Sequence, residues 1–391
     1  MLTTTISGVN ATVTRGREST TPGSQVLLKR YQEILDGKRL HWTTHHHLDR
    51  MLGSGGQGVV YLTERRGTDG FTLPVAIKIF SPDRYDDDRT YDNSMRRIAD
   101  VAAHVAQIQH DNLLDVHNFV DRDRIRMMVM EWVDGYDLQA LLTSERLERV
   151  ESRVSRKRWE YINRVLATSG PVHPRLKPGV AMAVMRGCLG ALAALHREGI
   201  VHGDIKPSNI MIKRTGSAKI VDIGSAFATE APPPHFMCTP HYAAPEVLEN
   251  SECTPRSDLA SLGYVFIQML GGQSPFQDCN GMGLRELLEH KRSLSQRLDS
   301  ILPRDVTVNE LLMNFCRRLI APDPMKRFPT AEEADLVKEG AAAFHRQLVM
   351  SNLSVEYENE IRIWLEELRE LDDLDHGESD EPSDPSDPTR L

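Results

Sequence analysis

The apolar positions of the chain change period partway along it. Between His47 and Ile79 they come as short β-branched runs, Gly58-Val59-Val60-Tyr61-Leu62 and Pro74-Val75-Ala76-Ile77-Lys78-Ile79-Phe80, on either side of a turn at Gly67 to Gly70. Such runs, bounded by turn residues, predict antiparallel strands. Ile98, Val101, Ala102, Val105 and Ile108 then share one face of an amphipathic helix. Two more strand-like runs follow, Leu113 to Val120 and Ile125 to Val133. After them the helical period takes over: Pro178 to Arg197, Ser257 to Leu270, Leu284 to His290, Val308 to Leu319 and Ala331 to Phe344. Strands first and helices afterwards predict an α+β fold rather than repeating βαβ units.

The remaining segments stand apart. The Thr/Ser/Gly-rich start, to about Pro22, reads as disordered. Val26 to Leu35 carries apolar residues at short-helix spacing. Ser144 to Lys177 is a basic insert with Arg153, Arg156, Lys157 and Arg158. Val355, Ile361, Ile363, Trp364, Leu365, Leu368 and Leu371 suggest one extra amphipathic helix. From about Asp372 the chain is acidic and Pro/Ser-rich, the composition of a disordered tail. His45-His46-His47 would alternate faces on a strand, so the run reads as an exposed lead-in rather than a metal cluster.

Composition narrows the class. At 391 residues, 40% hydrophobic and 26% charged, the chain has the make-up of a globular protein with a sizeable core. Its formal net charge of -9 argues against nucleic acid as a partner. Five cysteines without a C-x-x-C pair fit a reducing compartment. The polar N-terminus and the lack of a long apolar run predict neither signal peptide nor membrane span, hence a cytoplasmic protein.

Candidate chemistry begins with Gly53-Ser54-Gly55-Gly56-Gln57-Gly58. A glycine pattern of this kind also serves dinucleotide folds, but there a helix must follow it to hold the pyrophosphate. Here two strand-like runs flank it, so its backbone can close over a triphosphate, with Val60 capping a purine; a flexible hairpin turn is the bland alternative. Lys78 lies in an apolar strand, where a buried charge needs an anionic partner that ATP phosphates would supply; taken alone, an ordinary edge-strand lysine with its head in solvent is the better reading.

His202-Gly203-Asp204-Ile205-Lys206-Pro207-Ser208-Asn209, Asp222-Ile223-Gly224 and Ala244-Pro245-Glu246 follow in order. With the glycine loop and Val75-Ala76-Ile77-Lys78, this series resembles the protein kinase signature set. Met130-Glu131-Trp132-Val133 resembles the hinge between lobes, Ser257-Asp258 the start of the helix anchoring the catalytic loop, and Arg327 the late arginine that pairs with Glu246. The likeness spans roughly His47 to Phe344. It implies the bilobal kinase fold: a small antiparallel N-lobe with one helix over residues 47–131, and a helical C-lobe over 132–345 with the insert at about 144–177. Residues 1–46 would be an extension, and 346–391 the extra helix and acidic tail.

The resemblance also implies roles. Asp204 and Lys206 would be catalytic, acting on the acceptor hydroxyl and the γ-phosphate. Gly53, Ser54, Gly55, Gly56, Gln57, Gly58, Val60, Ala76, Lys78, Met130, Glu131, Val133 and Met211 would hold ATP, with Met130 as gatekeeper. Asn209 and Asp222 would hold Mg²⁺. Lys206 and Thr239 resemble the serine/threonine branch, so the expected substrate is a protein Ser or Thr hydroxyl. Apart from the resemblance, the basic insert reads equally as a docking site for a partner or acidic substrate and as a solvated helical excursion.

Three positions depart from the pattern. Gly203 stands where an arginine usually grips an activation-loop phosphate, which predicts a loop that works unphosphorylated. Ile223 replaces a phenylalanine. Counting back from His110-Asp111-Asn112, Val101 occupies the place of the helix glutamate that should pair with Lys78. That gap raises the alternative of a pseudokinase, a nucleotide-binding scaffold. A small-molecule kinase is a second alternative, disfavoured by Glu246 and Arg327.

Overall fold

The structure, a computed structural model, describes residues 22–37, 39–41, 45–234, 236–350 and 357–379. The Thr/Ser-rich start, the side chains of the histidine run and the chain beyond Ser379 lie outside the described residues.

The N-terminal lobe is one antiparallel sheet of β1 (Arg39–His41), β2 (His45–Gly55), β3 (Gly58–Arg66), β4 (Thr72–Phe80), β5 (Val116–Arg122) and β6 (Ile125–Glu131), in the order β1-β2-β3-β4-β6-β5. Strand β4 is central, and Val75 to Phe80 are all buried because both faces are covered. Two helices pack on this lobe, α1 (Pro22–Gly37) and α2 (Asp88–Val105). Asp87 caps α2 by accepting from the Thr90 N–H at 2.7 Å. The α2 apolar stripe, Tyr91, Met95, Ile98, Val101, Ala102 and Val105, is buried. Helix α1 lies against α2 and β6 and buries Leu27 and Ile34.

The second lobe is helical. After β7 (Gly135–Asp137) come α3 (Leu138–Leu141), α4 (Ser144–Arg153) and α5 (Arg156–Val165), then the short strands β8 (Ala167–Thr168) and β9 (Arg175–Leu176). Helix α6 (Pro178–Arg197) is long and apolar enough to cross a membrane by composition, but here it is largely buried as the lobe's core. Strand β10 (Ile200–Val201) pairs with β13 (Phe227–Ala228), and β11 (Ile210–Lys213) lies between β7 and β12 (Ala218–Ile220). Helices α7 (Pro245–Leu248), α8 (Pro255–Gly271), α9 (Leu284–Ile301), α10 (Arg304–Thr307), α11 (Glu310–Leu319), α12 (Ala331–Leu336), α13 (Ala341–Met350) and α14 (Tyr357–Ser379) complete the chain.

Two expectations are corrected. The single helix over Ala331 to Phe344 is broken into α12 and α13, because the chain folds back at Gly340. A Cβ there would lie 2.6 Å from the Ala334 carbonyl oxygen. The disordered tail does not begin at Asp372, since α14 continues to Ser379. Its buried face, Ile361, Trp364, Leu365, Leu368 and Leu371, fixes the helix, and extending a formed helix costs far less than starting one.

Candidate active site

Between β10 and β11 the chain forms a loop whose backbone is held from a distance. Asp258, buried in the first turn of α8, accepts the His202 N–H at 2.8 Å and the Gly203 N–H at 2.9 Å. Helix α8 is itself fixed by Pro255 in its first turn and a capping box between Thr254 and Ser257. Gly203 has φ of 77°, a left-handed conformation that favours glycine, and it presents no side chain to the stretch from Asp222 to Glu246, the counterpart of the activation segment.

Asp204 emerges from this loop into a polar cluster. Its Oδ1 accepts from the Thr239 hydroxyl at 2.8 Å and the Thr239 N–H at 3.0 Å, and its Oδ2 accepts from Lys206 Nζ at 2.7 Å. Lys206 also reaches Thr239 Oγ1 at 3.2 Å. The Asn209 amide nitrogen donates to the Asp204 carbonyl oxygen at 2.8 Å, which leaves its own oxygen as an acceptor. All four residues are buried. Their carboxylate, ammonium, amide and hydroxyl groups satisfy one another, as buried polar groups must.

Lys78 is buried on β4, and its partners are not on α2. Its Nζ lies 2.5 Å from Asp222 Oδ1 and 2.6 Å from Gln57 Oε1. Gln57, at the tip of the β2–β3 hairpin, turns its amide nitrogen to Ser225 Oγ at 2.8 Å. Val101 is buried on the inner face of α2, while Asp100 is exposed, so neither supplies a carboxylate to Lys78. Burial alone would raise the Asp222 pKa. The Lys78 charge, its hydrogen bond and the Gly224 N–H outweigh that and hold it at about 2. Asp222 has φ of 63°, a conformation a non-glycine residue keeps only where its surroundings enforce it.

A cavity of about 570 Å³ opens between the lobes beside these groups. Of the residues expected to hold ATP, it brings together Gly53, Val60, Ala76, Lys78, Met130, Glu131, Val133 and Met211, along with Asn209 and Asp222. Ser54, Gly55, Gly56 and Gly58 instead form the hairpin that roofs it, and Gln57 reaches past them to Lys78. Gly58 has φ of 137°, and a Cβ there would overlap the Ile79 carbonyl, so only glycine fits. The Glu131 N–H is taken by the Asp115 carbonyl at 3.0 Å, so Glu131 can face adenine only with its carbonyl. Its side chain accepts from Lys219 and from the Asp115 N–H.

The donor set fits the expected cofactor pair. Lys78 supplies a fixed positive charge, while Asp222 and the free oxygen of Asn209 are hard oxygen donors of the kind Mg²⁺ shares with nucleotide phosphates.

Downstream, Arg327 grips Glu246 in a two-pronged pair of 2.6 and 2.8 Å, and Ser257 Oγ adds 2.8 Å to the same carboxylate. Arg327 is fully buried, with its remaining donors on backbone carbonyls. This bolts the end of the activation segment to α8.

Sequence reasoning missed the outer wall of the cavity. Arg50, Leu52, Leu114 and Val221 line it, and so do Leu365 and Arg369 from α14. The apolar spacing of α14 is visible in the sequence, but its destination is not. On the basic insert, Arg158 is 2.8 Å from Glu367 and 3.3 Å from Glu360 of α14, and the Arg149 guanidinium donates to the Leu371 carbonyl at 3.0 Å.

A lysine–aspartate pair under a glycine hairpin, an aspartate–lysine–asparagine loop and an arginine-locked segment end are set around one interlobe cavity. Residues 46–336 match the model of the protein kinase domain, and the chain belongs to that family. It is 29% identical over 310 residues to the serine/threonine-protein kinase PrkC of Bacillus subtilis (strain 168), covering 78% of this chain and 41% of the relative. It is 30% identical over 295 residues to the serine/threonine-protein kinase PknL of Mycobacterium tuberculosis (strain ATCC 25618 / H37Rv), covering 74% and 62%. The chain thus spans about half the length of the curated relatives it matches.

Proposed function

We propose that this chain is an active ATP- and Mg²⁺-dependent kinase of protein Ser and Thr hydroxyls, whose activation segment works without phosphorylation. The observation that carries the reading is the Asp204–Lys206–Thr239–Asn209 cluster facing the Lys78–Asp222 pair. Phosphoryl transfer needs positioning and charge neutralisation rather than covalent catalysis. Asp204 accepts or orients the proton of the acceptor hydroxyl. Lys206, beside it, offsets charge on the transferred group, and Thr239 keeps both in register with the activation segment. Lys78 holds phosphate oxygens, and the Glu131 carbonyl and Val133 backbone face adenine. Mg²⁺ bound by Asn209 and Asp222 would neutralise charge between the phosphates.

Two features support independence from phosphorylation. Gly203 offers no cation to a phosphate, and Thr239 and the Glu246–Arg327 pair already hold the segment at both ends of its substrate-facing half. The pseudokinase alternative draws on Val101. Against it stands Gln57, which gives Lys78 a second partner that does not depend on α2. For the insert, α14 is the partner that the Arg158 pairs support.

The test is transfer of labelled γ-phosphate to a general protein substrate by wild type, by Asp204→Asn and by phosphatase-treated wild type. Label on Ser or Thr that vanishes in the variant and survives phosphatase is the expected result. Unlabelled protein that still binds Mg·ATP would establish the scaffold reading instead.

A further inference from the structure

Helix α14 lies beyond residues 46–336, yet it is built into the cleft. Ile361, Trp364, Leu365 and Leu368 are buried on one of its faces, which packs on α4 and α6. Two glycines, Gly216 in the β11–β12 turn and Gly179 in the first turn of α6, accommodate its start. A Cβ on Gly216, which has φ of 92°, would lie 1.8 Å from the Glu358 carbonyl oxygen, and one on Gly179 would meet the Tyr357 ring at 2.2 Å. Its acidic side is pinned by Arg158 through Glu360 and Glu367, with all three side chains mostly shielded from solvent. So seated, the helix passes the hinge, where Leu365 and Arg369 enter the cavity wall beside Trp132 to Asp137. Arg369 comes within 4.0 Å of Asp134, a hinge residue that Arg214, also on the wall, approaches at 3.6 Å.

From this placement we infer that α14 is a functional part of the nucleotide site. Leu365 supplies apolar wall to the adenosine half of the ligand, and Arg369 supplies positive charge at the hinge-side rim. The insert carries α14 in place. The ligand class is a purine nucleotide entering base-first along the hinge. A nucleotide site gains affinity from apolar enclosure and a few placed polar groups, and α14 contributes one of each. This inference rests on the nucleotide reading above and specifies what completes that site.

The test uses the full chain and Mg·ATP, with affinity measured by titration calorimetry and turnover by labelled phosphate transfer. Arg369→Ala changes a half-exposed rim residue and leaves the buried face of α14 intact. It is expected to weaken Mg·ATP binding about fivefold or more, and to raise KM with kcat little changed, the signature of binding shared by ground and transition states. Arg158→Glu sets like charges against Glu360 and Glu367. It is expected to weaken binding at least as much, although Arg158 does not line the cavity, and adding Glu367→Arg is expected to recover part of the loss. Thermal melting of each variant separates undocking of α14 from general unfolding. Wild-type affinity in both variants, with unchanged melting, would overturn the inference and leave α14 a structural cover. A wild-type chain that binds no Mg·ATP would sink the nucleotide reading itself, and this inference with it.

Discussion

Replacing Gln57 by Ala removes an acceptor from Lys78 without touching the lysine, Asp222 or the backbone of the glycine hairpin. The contact is short, 2.6 Å, and its donor is almost wholly buried. A hydrogen bond to a charged group contributes about 1.5–3 kcal/mol. Asp222 remains as a partner at 2.5 Å, so the lower end applies, and Ser225 loses its Gln57 contact at the same time. A loss of about 1.5 kcal/mol corresponds to about tenfold in kcat/KM. The assay is initial-rate phosphate transfer over a range of Mg·ATP concentrations, with affinity measured separately by calorimetry. The expected variant still folds, melts slightly lower because a hydrogen bond of the buried Lys78 is lost, and loses about tenfold in kcat/KM. If Gln57→Ala matched wild type, Gln57 would have no part in orienting Lys78. If it bound Mg·ATP more tightly, the side chain would be occupying space that phosphates need, and the reasoning would be refuted outright.

Other outcomes follow from the same geometry. Arg327→Met leaves the Glu246 carboxylate buried with only Ser257 beside it, and denaturant unfolding should show a loss of about 3–5 kcal/mol. Thr239→Ala removes a hydroxyl shared by Asp204 and Lys206 and should lower kcat by about tenfold or more, while Thr239→Ser should retain most of it; equal rates for the two variants would count against the hydroxyl's role. His241 is buried against Lys291, and burial followed by that charge lowers its pKa from 6.5 to about 4. Between those values the unfolded chain binds a proton that the folded chain refuses, so this contribution is complete above pH 6.5 and lost as pH falls to about 4. Melting curves across that range should flatten in His241→Leu.

The groups of the Asp204 cluster are legible in the sequence because they fall in short windows. Asp204, Lys206 and Asn209 lie within six residues, and that spacing alone gathers them once the loop is fixed. The strand holding Lys78 and the helix holding Val101 are readable from apolar period, and Val101 is indeed buried on the inner face. What the sequence hides is the partner choice of groups far apart in it. Gln57 and Ser225 are separated by 168 positions, and Arg158 and Glu367 by 209. No local pattern encodes such meetings, which depend on how whole elements pack. The break at Gly340 is missed for a related reason: the apolar spacing runs through it, and only a close backbone approach forbids the straight helix.

The dependence of the Asp204 loop on Asp258 bears on when that loop takes shape during synthesis. The Gly203 N–H waits for a carboxylate 55 residues downstream, and Glu246 waits for an arginine 81 residues further on. Until the chain has been made past Arg327 and α8 has docked, Asp204 has no fixed backbone beneath it. Under the function proposed above, a nascent or prematurely terminated chain holding Asp204, Lys206 and Asn209 would be silent, and phosphate transfer would become available only once the helical lobe had closed.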